Sequence, residues 1–285
     1  MKQQKKRSHS SGFRKRLLRN KMALFGLILL TLMILVAIFA DYIAPYGVDD
    51  QNLRESMMRP CAEHPFGTDK LGRDYLSRII YGTRVSLLVG FIAVAIGVAI
   101  GGTLGTIAGY FGGKIDDIIM RFFDIFMAIP SLVLAICICA ALGTGLVNTM
   151  IAVGLSTAPN YARVMRSAVL SASRMEYVEA ARAVGATNFE IITRHIIPNS
   201  LSPLIVQASL GVAVAILSAA SMSFIGLGVQ PPTAEWGSML AAGREYIRRS
   251  PYLVIYPGLS IMLTIFSLNL LGDGLRDALD PRLKR

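Results

Sequence analysis

Long stretches without charged residues alternate along the chain with shorter polar segments, and this alternation predicts the secondary structure. A helix needs about 20 apolar residues to cross the hydrocarbon core of a bilayer. Stretches of that order lie at about 22–40, 86–107, 126–142, 146–162, 201–225 and 252–271. Because no water reaches the backbone inside lipid, each stretch must pair its own backbone groups as a helix. The pattern predicts an all-α integral membrane protein, built as a bundle of six transmembrane helices.

The longest uncharged stretch, residues 125–162, contains 38 residues. As a single helix it would measure about 57 Å, nearly twice the thickness of the hydrocarbon core. The chain must therefore turn back within this stretch, and Gly143-Thr144-Gly145 is the obvious place for the reversal. This turn separates the third predicted span from the fourth.

Small residues recur at every fourth position of the second predicted span, at Ala93, Gly97, Gly101, Gly105 and Gly109. This spacing places a strip without side chains along one face of a helix, where a neighbouring backbone can approach closely. We favour helix packing as its purpose. The alternative interpretation is a smooth wall along a substrate path.

Composition excludes most classes of soluble protein. Hydrophobic residues make up 53% of the chain and charged residues only 16%, with a mean hydropathy of +0.53. A typical soluble domain contains about 25% charged residues. The chain is therefore expected to reside in a lipid bilayer as a single membrane domain, residues 22–285.

The net charge of +11 raises the question of nucleic-acid binding. The positive charge lies at the borders of the apolar stretches, with nine lysines and arginines in residues 2–21. No basic stripe alternates with aromatic residues, so we expect no nucleic-acid partner and assign the charge to the lipid surface. Residues 1–21 are predicted to form a basic cytoplasmic tail, and the first span is predicted to be a retained anchor.

The distribution of charge predicts which loops face the cytoplasm. Residues 163–198 carry five arginines against three glutamates, whereas residues 41–84 carry six basic and seven acidic residues. Basic loops stay in the cytoplasm. Both termini and the 163–198 loop are therefore predicted to be cytoplasmic, and residues 41–84 to be an external segment.

Candidate catalytic and metal-binding patterns are missing from the sequence. The three histidines and three cysteines have no metal-ligand spacing, and Gly112-Gly113-Lys114 lacks the other residues of a phosphate-binding loop. We expect a non-catalytic chain without a cofactor or metal. The rival hypotheses are a membrane-embedded enzyme, which would need a polar cluster within the spans, and a purely structural scaffold.

The loop at residues 173–198 has the signals of two short helices. Ser173-Arg174-Met175-Glu176 and Thr187-Asn188-Phe189-Glu190 both match the capping box, in which a hydroxyl and a carboxylate satisfy backbone donors at a helix start. Gly185 is predicted to end the first helix, and Pro198 is predicted to end the second. The small Ala180, Ala181 and Ala183 would let another protein approach closely.

These residues resemble the coupling loop of the membrane subunits of bacterial ABC importers. The resemblance rests on Glu179-Ala180-Ala181, Gly185 and Ile197-Pro198 at the family's spacing, and it implies that these six residues contact an ATPase subunit. His195 stands where the family has an aliphatic residue, and Ile197 replaces its leucine. An ordinary pair of interfacial amphipathic helices is the alternative.

Motifs elsewhere resemble the second membrane subunit of peptide and nickel-type ABC permeases. They are His64–Asp69, Leu71–Asp74, Ser77-Arg78, Ser223–Gly228, Pro231–Gly237, Gly272–Asp277 and Asp280-Pro281. The resemblance implies the fold of a type I ABC importer permease in a bacterial inner membrane. It also implies a second, related permease, two ATPase subunits that use ATP and Mg, and an external substrate-binding protein. The implied cargo is a dipeptide or oligopeptide, with a nickel chelate or glutathione as the alternative.

Polar residues within the spans are candidates for contacts along a translocation path. They are Asn148, Asn160, Gln207 and Asn269. Hydrogen bonding between helices is the default interpretation for each of them. Arg121 and Asp124 are three residues apart, so on a helix they are predicted to pair with each other.

Overall fold

The computed structural model describes Leu17 and residues 19–279, and helices dominate this part of the chain. Most of the predicted basic tail and the basic residues after position 279 lie outside the described residues. The helices are α1 (Lys21–Ile38), α2 (Ala40–Ile43), α3 (Tyr75–Phe111), α4 (Gly113–Met127), α5 (Ser131–Leu142), α6 (Leu146–Ser173), α7 (Glu176–Ala183), α8 (Asn188–Phe224), α9 (Trp236–Gly243) and α10 (Tyr252–Leu279). Short 3₁₀ turns lie at Leu53–Glu55 and Arg244–Tyr246. The prediction of an all-α membrane bundle is confirmed.

Within the described residues, the helices α1, α3, α8 and α10 are long and apolar enough to cross a membrane. Helices α4 and α5 together would make a fifth span, but they meet at an angle of 91°. Helix α6 has 28 residues, yet Asn148, Asn160 and Arg163 lower its hydropathy. It packs against α3, α5 and α8, so protein surrounds much of its surface and a fully apolar sequence is not required.

The close contact between α3 and α6 explains the glycine spacing. A Cβ atom at Gly97 would lie 3.0 Å from the carbonyl oxygen of Gly154 and 2.9 Å from the hydroxyl of Thr157. At Gly101 and Gly105 a Cβ atom would overlap the carbonyl oxygens of Ala158 and Ala162. Backbone therefore packs directly against backbone, and the packing interpretation is confirmed.

The middle of the chain matches the predicted turn but not the predicted third span. Helix α5 ends at Leu142 and α6 begins at Leu146, and Gly143 and Gly145 both have positive φ angles, +91° and +132°. The reversal is therefore confirmed. The stretch 126–142 is not one helix, because α4 ends at Met127 and α5 begins only at Ser131. Pro130 explains the break, since it lacks the N–H that would continue the helical ladder.

The ends of the bundle differ in their connections. We call residues 41–78 and 226–253 the cap end, which includes the start of α3, and residues 173–198 the loop end, which lies beside the end of α3. At the loop end the Tyr110 hydroxyl donates to the Asn188 side chain at 2.7 Å. At the cap end the Tyr75 hydroxyl donates to the Leu253 carbonyl oxygen at 2.6 Å. Helix α3 therefore connects the two ends.

Candidate functional site

The turn between α7 and α8 has the geometry that the sequence predicts. Gly185 adopts φ +83°. Its N–H donates to the Arg182 carbonyl oxygen at 3.0 Å, and the Ala186 N–H donates to the Ala181 carbonyl oxygen at 3.1 Å. These two bonds are the Schellman pattern that ends a helix at a left-handed glycine. The direction in which the chain leaves α7 is thus set by one residue.

Only one of the two predicted capping boxes forms. The Thr187 hydroxyl accepts from the Glu190 N–H at 3.3 Å, and the Glu190 carboxylate accepts from the Thr187 N–H at 3.1 Å. The prediction for Ser173 is wrong, because Ser173 belongs to the last turn of α6 and donates to the Val169 carbonyl oxygen at 2.8 Å. An N-cap requires a non-helical backbone, and here Met175 takes that position without a side-chain bond.

Pro198 does not end the second helix, so that prediction is also wrong. Helix α8 runs through Pro198 to Phe224. A π-helical segment, Ile191–Ile196, ends two residues before the proline, and the Ile197 N–H donates to the carbonyl oxygen of Ile192, five residues back. The wider π turn gives room to the proline ring, which in an ordinary α turn clashes with the carbonyl group four residues back. The loop at residues 173–198 therefore continues into the long helix α8 without a break.

The exposed surface of the loop differs in part from the predicted docking residues. Glu179, Ala180, Gly185 and Pro198 are exposed, whereas Ala181 is buried and Ile197 is half-buried. Ala181 therefore packs inside the protein and contributes little to a docking surface.

Two apolar residues of the loop that the sequence did not single out are also exposed. Val184 is 84% exposed and Phe189 is 75% exposed. They flank the Gly185 turn. The sequence could have indicated them, because one apolar residue stands on each side of a polar turn. Exposed apolar side chains, in a loop that also carries the exposed Glu179, form a surface suited to a protein partner.

An open groove of about 850 Å³ adjoins the loop and runs along α6 and α8. Its lining brings together two of the four predicted path residues, Asn160 and Gln207. It also includes Met175 and Tyr177 at the start of α7. The remaining lining residues are Met127, Arg163, Val164, Ser167, Ala168, Ser171, Ala172, Asn199 and Pro203. The groove and the loop therefore share residues.

The other two predicted path residues lie elsewhere. The Asn148 amide donates to the carbonyl oxygens of Leu142 and Gly143, at 2.9 Å and 3.1 Å, and so closes the turn between α5 and α6. Asn269 is exposed on α10 and is not part of the groove lining. For Asn148 the default interpretation, structural hydrogen bonding, fits the geometry.

Two ion pairs attach α4 to α6. The Arg166 guanidinium donates to both carboxylate oxygens of Asp116. The Arg163 guanidinium donates to Asp124 at 2.9 Å. The predicted pair of Arg121 with Asp124 is wrong, because the Asp124 carboxylate faces the neighbouring helix instead of its own.

Several motif residues at the cap end meet in one buried network. The Asp74 carboxylate accepts from the Ser77 N–H at 2.7 Å and contacts His64 Nδ1 at 2.9 Å. The Arg78 guanidinium donates to the carbonyl oxygens of Val48 and Pro232, at 2.9 Å and 3.2 Å. The network therefore fixes the start of α3 against loops that are distant in sequence.

A second part of the cap-end network surrounds α9. Glu235 accepts from the N–H groups of Gly237 and Ser238, at 2.9 Å and 2.8 Å, and caps this helix. Burial raises the pKa of the Glu235 carboxyl, and those two donors oppose the change. The Trp236 indole N–H donates to the Ile79 carbonyl oxygen at 3.2 Å. These buried and bonded side chains stabilise the structure.

Comparison with known proteins identifies the family to which this chain is similar. Residues 101–285 match the binding-protein-dependent transport system inner membrane component, and residues 10–60 match the N-terminal transmembrane domain of oligopeptide transport permease C. A solved methionine ABC transporter in an inward-facing conformation aligns with a TM-score of 0.59 at 20% identity, covering 71% of this chain and 96% of that chain. This similarity shows the fold alone.

Curated relatives align over nearly the whole chain. A dipeptide transport system permease protein of Alkalihalophilus pseudofirmus is 50% identical and covers 95% of this chain and 89% of its own. A di/tripeptide transport system permease protein of Pseudomonas aeruginosa is 46% identical, covering 93% and 89%. A glutathione transport system permease protein of Pectobacterium atrosepticum is 43% identical, covering 95% and 91%. The chain therefore belongs to the family of binding-protein-dependent transport system inner membrane components, the permease subunits of ABC transporters.

Proposed function

We propose that this chain forms half of the translocation path of an ATP-driven peptide importer. A second, related permease supplies the other half, two separate ATPase subunits hydrolyse ATP with Mg, and an external binding protein delivers the cargo. The chain itself binds no cofactor and performs no catalysis. The relatives named for dipeptide and di/tripeptide transport, at 50% and 46% identity, support a peptide cargo.

The observation that carries the proposal is the shared border of the groove and the loop. Met175 and Tyr177 line the groove and also form the start of α7, beside Glu179. Movement of α7 by an ATPase therefore changes the shape of the groove directly. The Tyr110 hydroxyl, at the end of α3, donates to the Asn188 side chain. The same movement is therefore also transmitted to α3, the helix that packs closely against α6. This arrangement supports the alternating access that transporters require.

The sidedness of the chain follows from the same proposal. The loop end faces the cytoplasm together with both termini, and the cap end faces outward in a bacterial inner membrane. Cysteines introduced by Asn52→Cys and Asn188→Cys test this, in a background in which exposed Cys61 and Cys137 are replaced by serine. An impermeant maleimide should label position 52 in intact cells and position 188 only after the membrane is opened. The opposite result would contradict the orientation.

The cargo is tested by uptake in a strain that lacks this chain. We expect loss of labelled dipeptide and tripeptide uptake, and recovery when the chain is restored. Labelled glutathione and a radioactive nickel chelate serve as the alternative cargoes, the first because of the 43% identical glutathione permease. Loss of nickel or glutathione uptake alone would replace the peptide proposal. Unchanged uptake of all four compounds would contradict an import function.

A further inference from the structure

The two arginines that join α6 to α4 lie one helical turn apart but differ in their surroundings. Arg166 binds Asp116 through two donors, and the Asp116 side chain is only 13% exposed. Arg163 binds Asp124 through one bond, and these side chains are 53% and 57% exposed. A two-donor contact to a largely buried carboxylate is strong, whereas an exposed single contact contributes little to stability. The first pair holds the helices together, and the second opens at low cost.

Arg163 faces the groove, while Asp124 does not. Among the described residues that line the groove, Arg163 carries the only formal charge, and Asp124 is not part of the lining. The other polar groups of the lining are neutral, including the amides of Asn160 and Gln207 and the hydroxyl of Ser167. At about 850 Å³ the groove falls within the range of small-molecule sites. A guanidinium with a weakly held partner therefore lines a cavity of peptide size.

We propose that Arg163 is a carboxylate-binding residue of the groove, which exchanges Asp124 for the terminal carboxylate of a transported peptide. This inference rests on the proposed function. Peptides of different sequence share their backbone and their termini, so a path that accepts many of them must contact these groups. Guanidinium matches a carboxylate with two parallel hydrogen bonds. Amide side chains, such as those of Asn160 and Gln207, match the peptide groups because they both donate and accept.

Asp124 has a defined part in this proposal, as an internal competitor for the guanidinium. Its carboxylate occupies Arg163 while the groove is empty of peptide and is released when the peptide carboxylate binds. Removing the charge at position 124 should therefore strengthen peptide binding, while removing the charge at position 163 should weaken it. A purely structural ion pair would respond to both losses in the same direction.

The test measures protection of a cysteine in the groove of the complete transporter, purified without ATP or binding protein. Ser167→Cys is introduced after Cys61 and Cys137 are changed to serine, and its reaction with a maleimide is followed. The probes are alanyl-alanine, its C-terminal amide and its N-acetyl derivative. We expect alanyl-alanine and the N-acetyl form to slow labelling, and the amide to need at least a tenfold higher concentration. Asn52→Cys, exposed at the cap end and outside the groove lining, should not respond to any probe.

The variants then decide between binding and structure. Arg163→Gln should abolish the difference between alanyl-alanine and its amide, and Arg163→Lys should restore part of it. Asp124→Asn should lower the alanyl-alanine concentration needed for half protection by severalfold. Equal protection by acid and amide in the unmodified groove, or shifts of the same sign for Arg163→Gln and Asp124→Asn, would overturn the inference. Peptide uptake that depends on the chain would still stand in that case, so the proposed function fails or survives separately.

Discussion

At the cap end charged and aromatic side chains are buried and bonded, whereas at the loop end large apolar side chains lie exposed. Arg78 is 4% exposed and Trp236 is 1% exposed. Val184 and Phe189 reach 84% and 75%. Both regions carry motifs that resemble the same importer family, yet one motif set stabilises the fold and the other forms a surface. Resemblance to a family does not show whether a motif stabilises the fold or forms a docking surface, but the exposed fraction of its side chains does.

The largest expected effect of a single substitution is at the cap end. Trp236→Ala removes a fully buried indole and the bond from its N–H to the Ile79 carbonyl oxygen. A change of this kind lowers the free energy of unfolding by about 3 to 5 kcal/mol. We expect a lower midpoint of thermal unfolding in detergent and less folded protein in the membrane. Phe189→Ala, which truncates an exposed aromatic residue at the loop end, is the matched control.

Phe189→Ala should leave the unfolding midpoint nearly unchanged, because substitutions at exposed positions usually alter stability by about 0.5 kcal/mol or less. The same variant should weaken association with the ATPase subunit, since it removes exposed apolar surface. Equal losses of stability in the two variants would remove the distinction between a structural cap and a docking loop.

The second prediction concerns the turn at the loop end. Gly185→Val places a β-branched residue at φ +83°, which costs about 1 to 2 kcal/mol or redirects the start of α8. We expect normal membrane abundance but loss of ATPase co-purification and of substrate-stimulated hydrolysis. Gly185→Asn is the control, because asparagine tolerates the left-handed conformation far better than valine. Normal transport by the valine variant would show that the loop does not couple to the ATPase.

The third prediction is a milder loss at the same surface. Glu179→Ala removes one exposed carboxylate and leaves the Gly185 turn intact. If Glu179 makes a charge-assisted contact with the ATPase, the loss is worth about 1.5 to 3 kcal/mol, at least a tenfold weaker association. Titration of purified ATPase onto the permease in nanodiscs measures this. Glu245→Ala, an exposed glutamate at the cap end, should leave the affinity unchanged.

The sequence could predict the elements whose cause is local. The Gly143 to Gly145 reversal, the Gly185 turn and the Thr187 capping box depend on residues close in the chain, and all three are present. The ion-pair partner of Asp124 lies on a neighbouring helix, so the spacing along the sequence indicated the wrong partner, Arg121 in place of Arg163. The groove was beyond prediction for the same reason, because it requires α6 and α8 to be adjacent. Only tertiary packing brings Asn160 and Gln207 together.

The smallest predicted effect is a difference in helix stability between one threonine and one serine whose flanking sequences both match a capping box. Thr187→Ala removes a cap whose hydroxyl accepts from the Glu190 N–H, a loss of about 1 kcal/mol confined to the start of α8. Ser173→Ala removes only a hydroxyl that donates back to its own helix at Val169, so its effect on helix stability should be close to zero. Hydrogen exchange of residues 188–196 measures the difference, since a frayed helix start exchanges faster. Faster exchange in Ser173→Ala than in Thr187→Ala would mean that the loop is stabilised by the first box after all, and the two-box prediction would return.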